Sequence, residues 1–239
     1  MTDGNSYYEH QAKARRIKSI TDVEREAAFE SHVFDRLILP ALLAAGSGDI
    51  YEAACGPGIL QRWLLSHGFE DVQGSDFSEN EALLAAETNP RIHHGDSLSH
   101  LKTFGPARFN AIIALDFYEH LSREDFRRFL DIAADALKPG GVLIMRGPNG
   151  DSPFVGLNLY NDITHVWTYT TVALQALLDL AGFTRITFDD DTDKALHHGR
   201  WWKRPMMRIS RSILTALALA ATRQKIRHWG MSLYVYATK

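Results

Sequence analysis

The segment NLYNDITHVWTYT, residues 158–170, places Asp162 three residues before His165. An imidazole can take a hydroxyl proton near neutral pH, and a neighbouring carboxylate can orient it. Asn158, Tyr160, Asp162 and His165 are therefore candidates for acid–base work. The other reading of the same residues is a turn capped by Asp162 with His165 packed beneath it. His120 is a further catalytic candidate; it stands where a helix is about to begin, and capping is its alternative role. Cys55, the only cysteine, has no positioned base beside it, so it is expected to pack rather than attack.

A second set of residues points to ligand binding. In Ile50-Tyr51-Glu52-Ala53-Ala54-Cys55-Gly56-Pro57-Gly58 an apolar strand carries an acidic residue into a glycine-rich turn, and a helix follows. Glycines admit positive φ and let the backbone come close to a ligand. Such a turn lies in the crevice of an open α/β sheet. A dinucleotide site would show G-x-G-x-x-G with pyrophosphate on the helix N-terminus. Here the spacing is E-x-x-C-G-x-G, which weighs against a nicotinamide oxidoreductase. Asp76 and Asp96 close two later strands and are placed to reach the same crevice, or to cap the helices that follow them.

The elements that must position these residues alternate between apolar strands and amphipathic helices from residue 30 to 188, the mark of βαβ units. Strands are expected at 49–54, 72–75, 92–95, 109–115, 142–145, 184–188 and 232–238. Phe109 to Leu115 is apolar throughout, as a strand buried on both faces should be. Helices are expected from His32 to Leu43, Ile59 to His67, after Ser78, Arg123 to Leu137 and Thr171 to Ala181. Ser78 with Glu81, and Ser122 with Asp125, are capping pairs. Residues 147–169 form a long irregular loop, the kind that carries function.

The chain of 239 residues is sized for one domain, a doubly wound α/β fold with a seven-stranded, mostly parallel sheet. It divides into an N-terminal helical lid (1–45), a core (46–190), a basic helical insertion (191–230) and a last strand (231–239). Tyr7 and Tyr8 are expected to fold over the ligand as part of the lid. The first residues are polar and charged and no apolar run is long enough for a membrane span, so a cytoplasmic location is expected. One cysteine excludes a disulfide framework and any multi-cysteine metal centre.

The net charge of −3 hides an asymmetry: from Lys194 onward there are ten basic residues and no acidic one, so the rest of the chain carries −13. A basic tail on an acidic body suits an anionic partner, a solvated face being the plainer alternative. Arg204, Arg208 and Arg211 recur at helical spacing beside Ile209, Ile213, Leu214, Leu217 and Leu219, with Trp201 and Trp202 at the start. Residues 200–227 are thus a candidate for peripheral contact with an anionic membrane at its inner face, for gripping a pyrophosphate-linked substrate, for packing on the sheet, or for a homodimer contact.

Residues 49 to 146 resemble the class I S-adenosylmethionine-dependent methyltransferases, whose first motif reads acidic-x-G-C-G-x-G; Ala54 stands in place of its first glycine. The resemblance implies a Rossmann-like fold with S-adenosyl-L-methionine as cofactor. It implies cofactor contacts from Glu52, Ala53, Cys55, Gly56, Gly58, Asp76, Phe77, Asp96, Ser97, Asp116 and Phe117. Asp76 would meet the ribose hydroxyls and Asp96 with Ser97 the adenine amino group. Leu115 to Leu121 is similar to the segment after the fourth strand in methyltransferases of small molecules, lipids and sugars. Lys138-Pro139-Gly140-Gly141 is similar to the family's turn before the fifth strand.

The Asn-Asp-x-Thr-His segment is similar to enzymes of bacterial surface-glycan biosynthesis, implying O-methylation of a sugar or lipid-linked glycan with His165, Asp162 and His120 as catalytic residues. A quinone-type aromatic acceptor, or cofactor binding without catalysis, stays open beside it. Nucleic acid is not expected as acceptor, because Asp116-Phe117-Tyr118 replaces the Pro-Pro-aromatic motif of the amino-directed enzymes. No metal ligand set is expected from the spacing of carboxylates.

Overall fold

A computed structural model describes residues 17–46, 48–192, 201–223 and 225–239. Seven strands form one sheet: β1 Ile50–Ala53, β2 Val72–Asp76, β3 Ile92–His94, β4 Phe109–Leu115, β5 Leu137–Pro148, β6 Arg185–Asp190 and β7 Ser232–Thr238. Their order is β3-β2-β1-β4-β5-β7-β6, with β7 antiparallel to both neighbours and the other pairings parallel. The doubly wound, mostly parallel sheet expected from the sequence is therefore present. Tyr7 and Tyr8 lie outside the described residues, as do Lys194 and Arg200.

Alternation along the strands builds the two faces. Ala111 and Ile113 of β4 pack on one side with Val33, Phe34, Leu37 and Trp63. Ile112 and Ala114 pack on the other with Phe126, Phe129 and Leu130. Helices α1 Ile20–Leu37, α2 Leu39–Ala45 and α3 Ile59–Ser66 supply the first face; α4 Glu79–Thr88 follows β2. Helices α5 Ser97–Lys102, α6 Arg123–Ala136 and α8 Thr171–Leu180 supply the second. A short helix, α7 Gly156–Leu159, sits inside the long loop.

Two helical boundaries differ from expectation. The single helix from His32 to Leu43 is two, α1 and α2, because Pro40 falls in the first turn of α2. Proline lacks an N–H and clashes with the preceding turn, so it starts a helix more readily than it continues one. Helix α1 also begins earlier, where the Ser19 side chain accepts a hydrogen bond from the Asp22 amide. Helix α5 was not foreseen; Asp96 caps it by accepting from the Ser99 amide at 2.7 Å. The other two capping pairs form as read, with Ser78 serving Glu81 and Ser122 serving Asp125.

Helix α9, Arg204–Thr222, is 19 residues long and has no buried residue. Met206, Ile209, Ile213 and Leu217 share one side at helical spacing and are all exposed. The half-covered positions Met207, Arg211, Thr215 and Ala218 lie on the opposite side. The helix thus turns its apolar stripe outward, the reverse of a helix docked on its own core. Among the described residues no helix is long and apolar enough to cross a membrane.

Candidate active site

The strand ends open onto one cavity of about 720 Å³. The glycine turn forms one wall. Ala54, Gly56 and Gly58 have φ of 52, 53 and 89°, all left-handed. That explains why a glycine suits position 54: alanine pays a steric cost there that glycine does not. The strained amide is held in place, since Ala54 N donates to Ser97 Oγ at 3.1 Å. Ser97 in turn accepts from Ser75 Oγ at 2.8 Å, and Ser75 meets Tyr51 Oη at 2.6 Å. This buried chain of hydroxyls ties β1, β2 and α5 together beneath the turn.

Asp76 braces the same turn from β2. Its Oδ2 accepts from Gly56 N at 2.7 Å and its Oδ1 from Ser78 N at 2.9 Å. Glu52, almost wholly buried, accepts from Gln61 Nε2 at 2.7 Å. Burial pushes its carboxyl up to about 8 against that bond, and Asp76 adds to the rise. Burial pushes the Cys55 thiol well above its ordinary range, with Glu52 and Asp76 adding, which makes it inert as a nucleophile. Phe77 offers a half-exposed aromatic ring at the cavity edge.

The opposite wall carries the acid–base candidates. His120, Asp162 and His165 all line the cavity although they come from two segments. His120 Nδ1 lies 2.9 Å from Thr164 Oγ1, and that hydroxyl donates to Asp162 Oδ1 at 2.7 Å. The Thr164 oxygen therefore accepts from His120, placing its proton on Nδ1 and its lone pair on Nε2. His165 Nδ1 donates to the Leu159 carbonyl at 3.0 Å, which selects the same tautomer. The two rings stand edge to face, 4.8 Å apart. Burial, with His165 adding, pushes His120 down to about 4. Asp162 orients His120 through Thr164, where the sequence suggested it would orient His165.

Asp116 and Phe117 also reach the cavity. Asp116 has a left-handed φ of 52° and grips Arg146 through both carboxylate oxygens, one bond being Arg146 Nε to Oδ1 at 3.0 Å. Arg146 Nη1 also donates to Tyr234 Oη at 3.3 Å. Ala53 and Gly58, expected among the cofactor contacts, do not line the cavity: Ala53 is buried within β1, and Gly58 caps α3. The other expected contacts, Glu52, Cys55, Gly56, Asp96 and Ser97, do line it.

Sequence reading missed Arg146, Glu119, Thr164, Tyr234 and the α1 residues Glu26, Glu30 and Phe34, all of which border the site or support it. A signal existed for Arg146. An arginine closing the apolar run Val142 to Met145 must find a carboxylate, because a charge beside a buried strand is costly alone.

Residues 25–187 match the profile of the methyltransferase-domain family. This chain belongs to that family. Solved structures share the fold of the methyltransferase at low identity. A S-adenosylmethionine-dependent methyltransferase from Archaeoglobus fulgidus is 18% identical, with a TM-score of 0.68 over 89% of this chain and 94% of that one. One from Mesorhizobium loti is 16% identical, with a TM-score of 0.57 over 88% and 98%. Phosphoethanolamine N-methyltransferase 2 from Haemonchus contortus, in complex with S-adenosylmethionine, is 15% identical, with a TM-score of 0.57 over 89% of this chain and 56% of that one. No curated protein matches the methyltransferase.

Proposed function

We propose that the methyltransferase transfers a methyl group from S-adenosylmethionine to a hydroxyl of a sugar or lipid-linked glycan. The observation that supports this is the joining of two unlike walls in one cavity, glycine turn and buried carboxylates on one side and two imidazoles on the other. The first wall fits the cofactor chemically. Asp76, Glu52 and Asp96 are acceptors for ribose hydroxyls, an ammonium and an adenine amine, and Phe77 offers apolar surface to the ring. The bound cofactor supplies an electrophilic methyl on a sulfonium. Alignment of the acceptor with that methyl is a large part of catalysis in such a displacement. His165 activates the hydroxyl, and His120, held by Thr164 and Asp162, lines the same end.

The test is calorimetric titration with S-adenosylmethionine, S-adenosylhomocysteine and NAD, followed by turnover with hydroxyl acceptors beginning with sugars. Binding of the first two and release of S-adenosylhomocysteine with a sugar acceptor are expected. Binding of NAD alone overturns the cofactor. Binding without turnover on any acceptor supports a non-catalytic partner, and turnover on quinone-type phenols alone moves the acceptor class.

We further propose that α9 holds the methyltransferase on an anionic membrane surface, where a lipid-linked acceptor resides. Its outward apolar stripe and the absence of acidic residues beyond Lys194 support this reading. Sedimentation with phosphatidylglycerol vesicles is expected to capture the protein, and phosphatidylcholine vesicles to capture far less. Ile209→Asp with Ile213→Asp should cut capture by about tenfold or more, since each side chain contributes roughly 1.5–3 kcal/mol on burial. Self-association without capture would point instead to a second copy of this chain.

A further inference from the structure

The acceptor wall carries a feature that proton transfer alone leaves unexplained. Glu119 is 1% exposed, and among the described residues its Oε2 has no hydrogen-bond partner. An unsatisfied buried carboxylate oxygen costs on the order of 1–3 kcal/mol or more, so its retention at a cavity wall calls for a ligand. One donor atom from each of Glu119, His120 and His165 lies within 4.8 Å of the other two. The backbone holds the two segments together, with Val166 N donating to the Glu119 carbonyl at 2.7 Å.

We propose that Glu119, His120 and His165 form a site for one divalent transition-metal ion. Both imidazoles are prepared for this. Thr164 and the Leu159 carbonyl take up the two Nδ1 protons and direct the lone pairs to Nε2. Metal-ligating histidines commonly carry such outer partners, and the hydroxyl relay from Asp162 through Thr164 is one. Two imidazoles and a carboxylate suit zinc, manganese, iron or cobalt; magnesium prefers an all-oxygen set. Donors at ~2.1 Å from the ion must stand roughly 3–4 Å apart, so binding draws the three side chains inward by about 1 Å. Three protein ligands leave coordination positions facing the cavity. There an acceptor hydroxyl can bind, the ion acting as Lewis acid, and pass its proton to water in the cavity; with the ion bound His165 serves as a ligand and not as the base.

The role toward the acceptor rests on the hydroxyl-transfer reading above; the ion site itself does not. Cobalt(II) titration of the full chain, stripped with chelator, separates the two. One equivalent is expected to bind with visible d–d absorption, and zinc to displace it. Glu119→Gln and His165→Gln should each weaken binding at least tenfold, with S-adenosylmethionine binding retained as proof of folding. Thr164→Val, which removes only the outer partner of His120, should weaken it less. Absence of a saturable cobalt spectrum, or a spectrum unchanged in both ligand variants, overturns the site. A chelator that strips the ion and abolishes sugar methylation supports both readings. Ion binding with methylation untouched by chelator keeps the site and overturns its part in activating the acceptor.

Discussion

Asp76→Ala is expected to weaken S-adenosylmethionine binding by about 10- to 100-fold in a folded protein. The carboxylate has two tasks that the substitution removes together. It faces the cavity where ribose hydroxyls are to be met, and it accepts the Gly56 and Ser78 amides at 2.7 and 2.9 Å. Hydrogen bonds to a charged group contribute about 1.5–3 kcal/mol each, and one such bond to a ligand corresponds to that range of affinity. Alanine also leaves the Gly56 amide without its acceptor, in a turn already held at left-handed φ. Asp76→Asn keeps the shape but offers one acceptor oxygen instead of two, so an intermediate loss is expected. Calorimetry on the three proteins, with circular dichroism as the folding control, reads the result. An Asp76→Ala protein that folds and binds normally would remove Asp76 from the site.

His165→Ala should behave in the opposite way, with turnover falling by about 10²–10⁴, the range for loss of a positioned acid–base group, and cofactor affinity within about twofold of the parent. The separation follows from placement. His165 comes from the loop after β5, tethered to Leu159, whereas Asp76 and Glu52 stand on β2 and β1. Its removal leaves the Ala54–Ser97 and Gly56–Asp76 contacts untouched. Initial rates at saturating cofactor, paired with calorimetry, distinguish the outcomes. Full activity would mean that His165 merely packs in the loop, and a parallel loss of cofactor binding would mean that it shapes the whole cavity.

The contrast between these variants reflects two kinds of information in the chain. The sheet, the glycine turn and the capped helices were legible because their rules are local. An apolar run such as Phe109 to Leu115 needs burial on both faces, and a serine three residues before an acidic residue starts a helix. Asp96 shows where local rules become ambiguous: the same carboxylate caps α5 and lines the cavity, and both roles were open at the level of sequence. Pro40 carried a local signal that outranked the apolar periodicity around it.

Pairings between distant residues were not legible. Asp116 meets Arg146 because β4 and β5 are neighbours in register, with Leu115 opposite Arg146. Glu119 and His120 meet His165 because the loop after β5 folds back over the end of β4, where Val166 binds the Glu119 carbonyl. The outward turn of α9 is of the same kind, since periodicity defines an apolar stripe without saying which side faces the body. By itself the sequence determined the elements, the glycine turn and the family likeness, each set by contacts among residues a few places apart. Only the tertiary structure decided which distant carboxylates and imidazoles share a wall, because that depends on sheet order and loop path, and no spacing along the chain encodes either directly.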